Sequence, residues 1–530
     1  MEEVFVDNVT FAYVTPFPCS TLTTKILTTI NPQSNTGFFK GEGGLRQGDP
    51  LSPYLFVLAM KILSRYLRVL CDKPHVTYHP KCARVKLNHL IFADDLMIFV
   101  RVQAVANALQ FFGSISGLEP NNEKTDIYFG GVSDNIELRI KNLTGYSEGT
   151  FPFKYLGLPL HDSHLHGHMY DALLSKIHQC ITHWTTKLLS YAGRLQLLNS
   201  VLFGLEGYWC NTLLLPAGLL KTLNKLCRNY LWNSQEGRHR LYMKSWLACC
   251  CPRDEGGVNI KEVLSWNRAN LCKWLWHILS NNASVWATWH TVYNLKMHTI
   301  WTAEKSAHHS RAGEPYCTPR DHLLHFFGTA AHATSRLLSC VDSQGHFRVA
   351  KMYELLRTKF PKVHWTNVVW DSAVIPKHSF ITALAAQAKL TTVDCIIKRG
   401  LCWVNWCILC RAASETHTHL FFNCVFSRDL WCSMPTWMRL PSRSMNLRQE
   451  LSLSNARYAR KHWKMRWFRC CLNATTYAIW QERNTRLFTG KESSPHALVR
   501  NLQLSIVVKV LDMNRSVTDE MLDHLNVIYV

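Results

Sequence analysis

No stretch of this chain reaches the roughly 18 uncharged apolar residues that a membrane-spanning helix needs. The opening MEEVFVDNVT has neither a basic leader nor a long apolar core, so a soluble, unsecreted protein is expected. Internal repeats and low-complexity tracts are also lacking, which sets aside solenoid arrays and compositionally biased linkers. The 20 cysteines follow no regular framework, which argues against a disulfide-stapled scaffold and for thiols plus one metal site. Acidic residues are scarce, 37 against 59 Lys and Arg, and the formal charge of +22 favours a polyanionic partner, nucleic acid first. Charge of this size also occurs without a specific partner.

What is present is ample core material. With 47% hydrophobic residues and 12% aromatics over 530 residues, three or four domains are expected.

The first 160 residues hold the clearest chemistry. GLRQGDPLSPYLFVLAMKILSRYL is a turn-rich segment, then apolar residues at Leu55, Leu58, Ala59, Ile62, Leu63, Tyr66, Leu67 and Leu70 at helical spacing. Ser52 fits an N-cap and Pro53 the first turn, leaving Arg46, Gln47, Gly48 and Asp49 on the entering loop. An ordinary capped core helix would look the same. HLIFADDLMIFV then reads as a hairpin, with Asp94 and Asp95 between two β-prone runs. Adjacent carboxylates repel, and a divalent cation relieves that repulsion. A solvated surface turn is the ordinary alternative.

The ordered set GLRQGDPLSP, FADD, SGLEPNNEKT and FPFKYLGLPL closely resembles the palm of non-LTR (LINE-type) retrotransposon reverse transcriptases, especially those abundant in plants. The resemblance implies an RNA-directed DNA polymerase that takes an RNA template, a DNA primer and deoxynucleoside triphosphates, with catalytic Mg²⁺. Arg46, Gln47 and Gly48 would lie under the incoming nucleotide and templating base. Asp94 and Asp95 would be the catalytic metal ligands, Asp94 the stronger. Lys124 would stand near the nucleotide phosphates, an exposed loop Lys being the equal alternative, and Phe153, Lys154, Tyr155, Leu156 and Gly157 would form the primer grip. The family has a further palm carboxylate well upstream of GLRQGDP. Asp7 is the only upstream Asp here, over a short interval, so the resemblance implies an N-terminally truncated copy with an incomplete metal site, and inactivity as one outcome. Nuclear residence is implied only by the family's habit of priming at chromosomal DNA.

Leu188, Ala192, Leu195, Leu198 and Leu202 recur at helical intervals, as in the thumb that follows such a palm, where Lys187 and Arg194 would face the duplex or be solvated. His161, His164, His166 and His168 read as a solvated connector. Cys249, Cys250 and Cys251 read as incidental, because neighbours in sequence do not converge easily on one ion. Trp266, Trp274, Trp276, Trp286 and Trp289 read as core or as stacking surfaces, and the polar interval Thr302 to Arg320 as a flexible linker.

CILCRAASETHTHLFFNC places Cys407, Cys410, His419 and Cys424 in a C-x2-C-x8-H-x4-C array, the spacing of a closed, structural zinc site. His417 competes with His419. FRVAKMYELLR, PKHSFITALAAQAKLTTVDCIIKRG and SRDLW around it resemble the zinc-binding domain downstream of these reverse transcriptases, where His419 is the ligand that precedes LFFNC. Beyond it, six cations lie between Arg457 and Arg469, with Trp463 and Trp467 one helical turn apart. That run suits either nucleic-acid contact or an amphipathic helix with a core Trp pair.

The expected architecture is α+β and multidomain. It comprises a partial palm over 1–160, a helical thumb over 161–250 and a Trp-rich connection over 251–345. A small zinc-binding domain over 346–434 and a basic helical region over 435–530 complete it. A non-catalytic, zinc-containing nucleic-acid-binding remnant is the main alternative to an enzyme, and a decayed product that does not fold stably is a third.

Overall fold

The computed structural model describes residues 9–14, 48–71, 78–99, 102–130, 133–160, 167–184, 189–232, 242–281, 283–296, 298–303, 310–400, 403–437, 447–456 and 463–513. They form a helix-rich α+β structure with two small sheets. The chain divides into two compact units, Met1–Met169 with Lys273–Leu338, and Tyr170–Cys272 with Ser339–Val530. Among the described residues no helix is long and apolar enough to cross a membrane.

In the first unit, β1 (Val9–Val14) is the middle strand of a five-stranded sheet. On one side it pairs antiparallel with β3 (Asp95–Ile98), which forms a hairpin with β2 (His89–Phe92). On the other it pairs antiparallel with β4 (Asp126–Gly130), beside which β5 (Ser147–Glu148) runs parallel. Alternation puts Leu96 and Ile98 of β3 on one face. There they meet Phe56, Ala59, Leu63 and Leu67 of α1 (Ser52–Leu70) and Val105, Leu109 and Phe112 of α2 (Val102–Ser116). Met97 and Phe99 pack on the opposite face with Cys82 and Tyr128.

Two expectations for α1 change. The helix starts at Ser52 without a side-chain cap, and Asp49 instead accepts the Leu51 N–H at 2.8 Å, because its carboxylate reaches back in an Asx turn. Leu58 and Ile62 are 57% and 58% exposed, since the sheet and α2 cover one flank of a helix whose apolar stripe is wider than that flank.

The second unit is built on α7 (Trp463–Thr489), buried on most sides over Trp467–Thr476. Before it in the chain come α3 (Tyr191–Leu197), α4 (Ala217–Trp232), α5 (Pro376–Ala386) and α6 (Val425–Trp437), and α8 (Pro495–Met513) follows. Residues His378–Ala386 of α5 are all buried and pack on α7. Tyr191 stacks on Phe380 with ring centroids 5.5 Å apart at 16°, and Trp232 lies 6.1 Å from the same ring. The helices α3 and α4 therefore share a core with α5.

Other expectations are also revised. The supposed linker from Thr302 contains the helix Ser310–Phe327, and Arg320 is buried, donating to the Ile300 and Ala303 carbonyls. Arg194 neither faces outward nor is solvated: it is buried, donates to the Leu231 carbonyl at 3.5 Å, and burial lowers its pKa. Trp266, Trp274, Trp276, Trp286 and Trp289 are half-buried, with Trp274 and Trp286 centroids 4.7 Å apart, which favours their use in packing. Cys249, Cys250 and Cys251 are all buried. His168 is exposed, while His161, His164, His166 and Lys187 lie outside the described residues.

Candidate catalytic hairpin and metal centre

β2 and β3 are joined by Ala93 and Asp94, and Phe92 pairs with Asp95. Ala93 has φ 52°, a conformation that suits a two-residue hairpin turn but costs a residue with a Cβ on the order of 1–3 kcal/mol. Asp94 and Asp95 are half-buried. The Asp95 carboxyl is pushed above its ordinary range by burial first and by the charge of Asp94 second, the environment that favours a bound cation. The hairpin is anchored by a buried polar chain. His89 Nδ1 meets Asn88 Oδ1 at 2.6 Å and His89 Nε2 meets Ser64 Oγ at 2.7 Å, while Asn88 donates to the Leu67 carbonyl at 2.7 Å. Burial, with Arg68 nearby, lowers the His89 pKa to about 4, so the imidazole is neutral and ties β2 to α1.

A second hairpin lies against this one. β6 (Phe153–Tyr155) and β7 (Leu158–Leu160) pair antiparallel, and Leu156 and Gly157 have φ 49° and 78°, the pattern of a type I′ turn. Phe153 packs 4.3 Å from the Tyr128 ring and Phe151 5.2 Å from it. Gly149 makes room for this cluster, since a Cβ there would stand 2.3 Å from Tyr128. Tyr155 packs on the same side as Met97, the side to which alternation assigns Asp95. Its hydroxyl is shifted upward by burial and then by Asp95. Lys154 is exposed.

β1 runs antiparallel to both β3 and β4, and Tyr13 pairs with Met97 on one side and Asp126 on the other. β3 and β4 therefore start at the same end of the sheet. The turn Asn122–Lys124 that leads into β4 sits level with Asp95 two strands away, roughly 10 Å laterally. Lys124 is exposed. Asp126, which sequence reasoning passed over, shares that end and face with Asp95. At about 12 Å by strand geometry it is too far to share an ion. Gly48 has φ 94°, which explains a glycine there. Arg46, Gln47 and Asp7 lie outside the described residues.

Among the described residues one group of His, Cys, Asp or Glu is arranged to hold a metal ion. Its members are Cys407, Cys410, His419 and Cys424, whose donor atoms all lie within 4.8 Å of one another. Thiolates on a tetrahedral zinc stand about 3.8 Å apart, and a thiolate and an imidazole nitrogen about 3.5 Å. The Cys407 and Cys424 sulfurs are 3.9 Å apart, and Cys410 Sγ is 3.3 Å from His419 Nε2, so the donor set fits. A wide turn, His419–Asn423, presents the histidine, and Cys424 follows in extended geometry. The Cys407 sulfur accepts the Leu409 and Cys410 N–H groups. The Cys407 thiol, then the Ser427 and Phe426 N–H groups, hold the Cys424 thiol below its usual range despite burial, so one of the pair is readied as a thiolate. His417 is turned away and donates from Nε2 to the Leu390 carbonyl at 2.8 Å.

What clamps this loop leaves no mark in the local sequence. Glu415, between the ligands, is fully buried and accepts from Arg483 of α7, Nη2 to Oε1 at 2.7 Å. It also accepts the Val393 N–H at 2.9 Å. Arg486 donates to the Leu409 carbonyl and pairs with Glu482 at 2.8 Å.

Residues 5–160 match the family model described as reverse transcriptase (RNA-dependent DNA polymerase). Residues 347–431 match the one described as zinc-binding in reverse transcriptase. An Arabidopsis thaliana protein provisionally named a ribonuclease H protein is 30% identical over 129 residues, 24% of this chain and 21% of that protein. An uncharacterized mitochondrial protein of the same plant is 47% identical over 55 residues, 10% of this chain and 43% of that protein. The chain thus spans less than half the length of either relative.

Proposed function

We propose, from the premise that the chain belongs to the retrotransposon-type reverse-transcriptase family and carries that family's zinc-binding domain, that it serves RNA-directed DNA synthesis, with the β2–β3 turn as catalytic centre. The observation that carries this reading is the meeting of two hairpins, in which Tyr155 of the second packs beside Met97, on the face of β3 that also carries Asp95. The metal ligands and the grip for a primer end would then share one face of the sheet.

Mg²⁺ ions, when bound, would clamp the attacking and leaving oxygens of nucleotidyl transfer. Asp94 and Asp95 would hold them, their mutual repulsion relieved by the cation. Lys124, at the same end of the sheet, would offset charge on the departing pyrophosphate. Gly48, with Arg46 and Gln47 before it, would line the nucleotide and template side. The Phe153–Gly157 hairpin would hold the primer, its exposed Lys154 available to the backbone phosphates. RNA template, DNA primer and deoxynucleoside triphosphates are the corresponding partners. Cys407, Cys410, His419 and Cys424 would hold zinc in a closed set with no open position, hence a structural ion.

A second reading is a zinc-containing nucleic-acid-binding protein without catalysis. It is favoured by one observation: among the described residues no third carboxylate, His or Cys joins Asp94 and Asp95 in a metal-binding group. Extension of a primed RNA template with Mg²⁺ and labelled nucleotide separates the two. Incorporation that Asp94→Asn abolishes supports the polymerase. Equal background in both proteins, each shown to be folded and zinc-loaded, leaves the binding protein.

A further inference from the structure

The second unit holds a polar cleft of 690 Å³ away from the metal ligands, within the range of built ligand sites. Arg253, Trp370, Asp371, Ser372, Arg466 and Arg469 contribute to its wall. Arg469 is buried and donates to Asp371 Oδ2 at 2.6 Å. Arg466 lies 3.7 Å from Asp371 Oδ1 and donates to Ser372 Oγ at 3.3 Å. One carboxylate thus holds two guanidinium groups in place. Arg253 stands over the Trp370 ring at 4.4 Å and has no carboxylate partner among the described residues. Among the described lining residues, three guanidinium groups face one carboxylate, so the described wall is cationic. The Trp370 indole N–H is buried without a hydrogen-bond partner, an unsatisfied donor on a wall residue.

We propose that this cleft binds the phosphodiester backbone of a nucleic-acid strand, with Arg253 and Arg466 as the phosphate contacts and Arg469 with Asp371 as their fixed support. Planar guanidinium forks match phosphate oxygens. The wall is polar, and the face of Trp370 is already covered by Arg253, so the recognition is of phosphate rather than of a stacked base. Arg466 and Arg469 close the run of six cations read from the sequence. That run therefore serves in two ways, its last member as a buried support and Arg466 as a contact.

The inference rests on the proposed function only in taking nucleic acid as the partner. Its test uses the full chain, no nucleotides, and a short labelled single-stranded RNA titrated at several salt concentrations. Each phosphate contact contributes about 0.7 to the slope of log affinity against log salt for a single strand. Replacing both arginines, Arg253→Gln with Arg466→Gln, should lower the slope by about 1.4, while Arg253→Lys with Arg466→Lys should keep it. If the glutamine pair loses the fold, the single Arg253→Gln decides, with an expected drop of about 0.7. An unchanged slope, or no RNA binding by the unaltered chain, overturns the proposal. So does displacement of the RNA by millimolar inorganic phosphate or a mononucleotide, which would mark a site for a free phosphate. Normal RNA binding with no templated incorporation would overturn the polymerase reading alone.

Discussion

Arg483 and Glu415 stand 68 positions apart in the chain, yet Arg483 Nε and Nη2 both donate to the Glu415 carboxylate, at 3.2 and 2.7 Å to Oε1. Both side chains are almost wholly buried. The pair joins the C-terminal part of α7 to the loop between the second and third metal ligands, and thereby couples helix packing to the metal site.

Removing one partner leaves a buried charge uncompensated, at a cost of about 3–5 kcal/mol. Arg483→Leu or Glu415→Leu should each lower the urea midpoint and the zinc stoichiometry, while the double variant should recover much of the loss. A double variant as unstable as the sum of the singles would refute the coupling.

The metal set makes a sharper distinction between neighbouring histidines. His419→Ala should lose tightly bound zinc and expose the segment to proteolysis, whereas His417→Ala, which gives up one hydrogen bond to Leu390, should retain the ion. Zinc content after chelator challenge reads the difference, and equal loss in both would displace His419 from the site.

Acid should weaken the first unit through its buried imidazoles. His89 and His290 are each lowered to about 4 by burial, while in the unfolded chain they titrate near 6.5. The unfolded state therefore binds more protons between those values, and stability present above pH 6.5 is lost as pH falls toward 4. Each group contributes a slope of up to about 1.4 kcal/mol per pH unit in that window. Urea midpoints at pH 7 and pH 5 should differ, and by less in His89→Gln; a flat profile would refute the buried neutral imidazole.

Gly149 is where the second hairpin is fitted to the sheet. Gly149→Ala should destabilise the first unit by about 1–3 kcal/mol, because the added Cβ would stand 2.3 Å from the buried Tyr128 ring. Tyr128→Ala in the same chain should relieve part of that penalty. Identical unfolding curves for Gly149→Ala and the unaltered chain would show that the ring moves aside at no cost.

Much of the site was legible because it is local. The β2–β3 hairpin announces itself by two β-prone runs flanking Ala93 and Asp94, and the Cys407, Cys410, His419 and Cys424 spacing is met by one knuckle and one wide turn. Arg194 and Arg469 were not legible in the same way. A basic residue on a helix looks alike in sequence whether it meets solvent or, as with Arg469, a buried carboxylate 98 positions away. The interval before Arg320 misled because its polar composition suited a linker, while Arg320 itself closes on carbonyls of the preceding turn.

The sequence by itself determined what short-range geometry determines: which carboxylates share a turn, which thiols and histidines lie within reach of one ion, and where helical spacing begins. Tertiary structure alone decided that Asp95 and Tyr155 share a face, that Lys124 comes to the same end of the sheet, and that Arg253 and Arg466 line one cleft. Those relationships depend on strand register and on buried ion pairs between distant segments, whose energy comes from excluding water around both partners at once. No local pattern of residues carries that information.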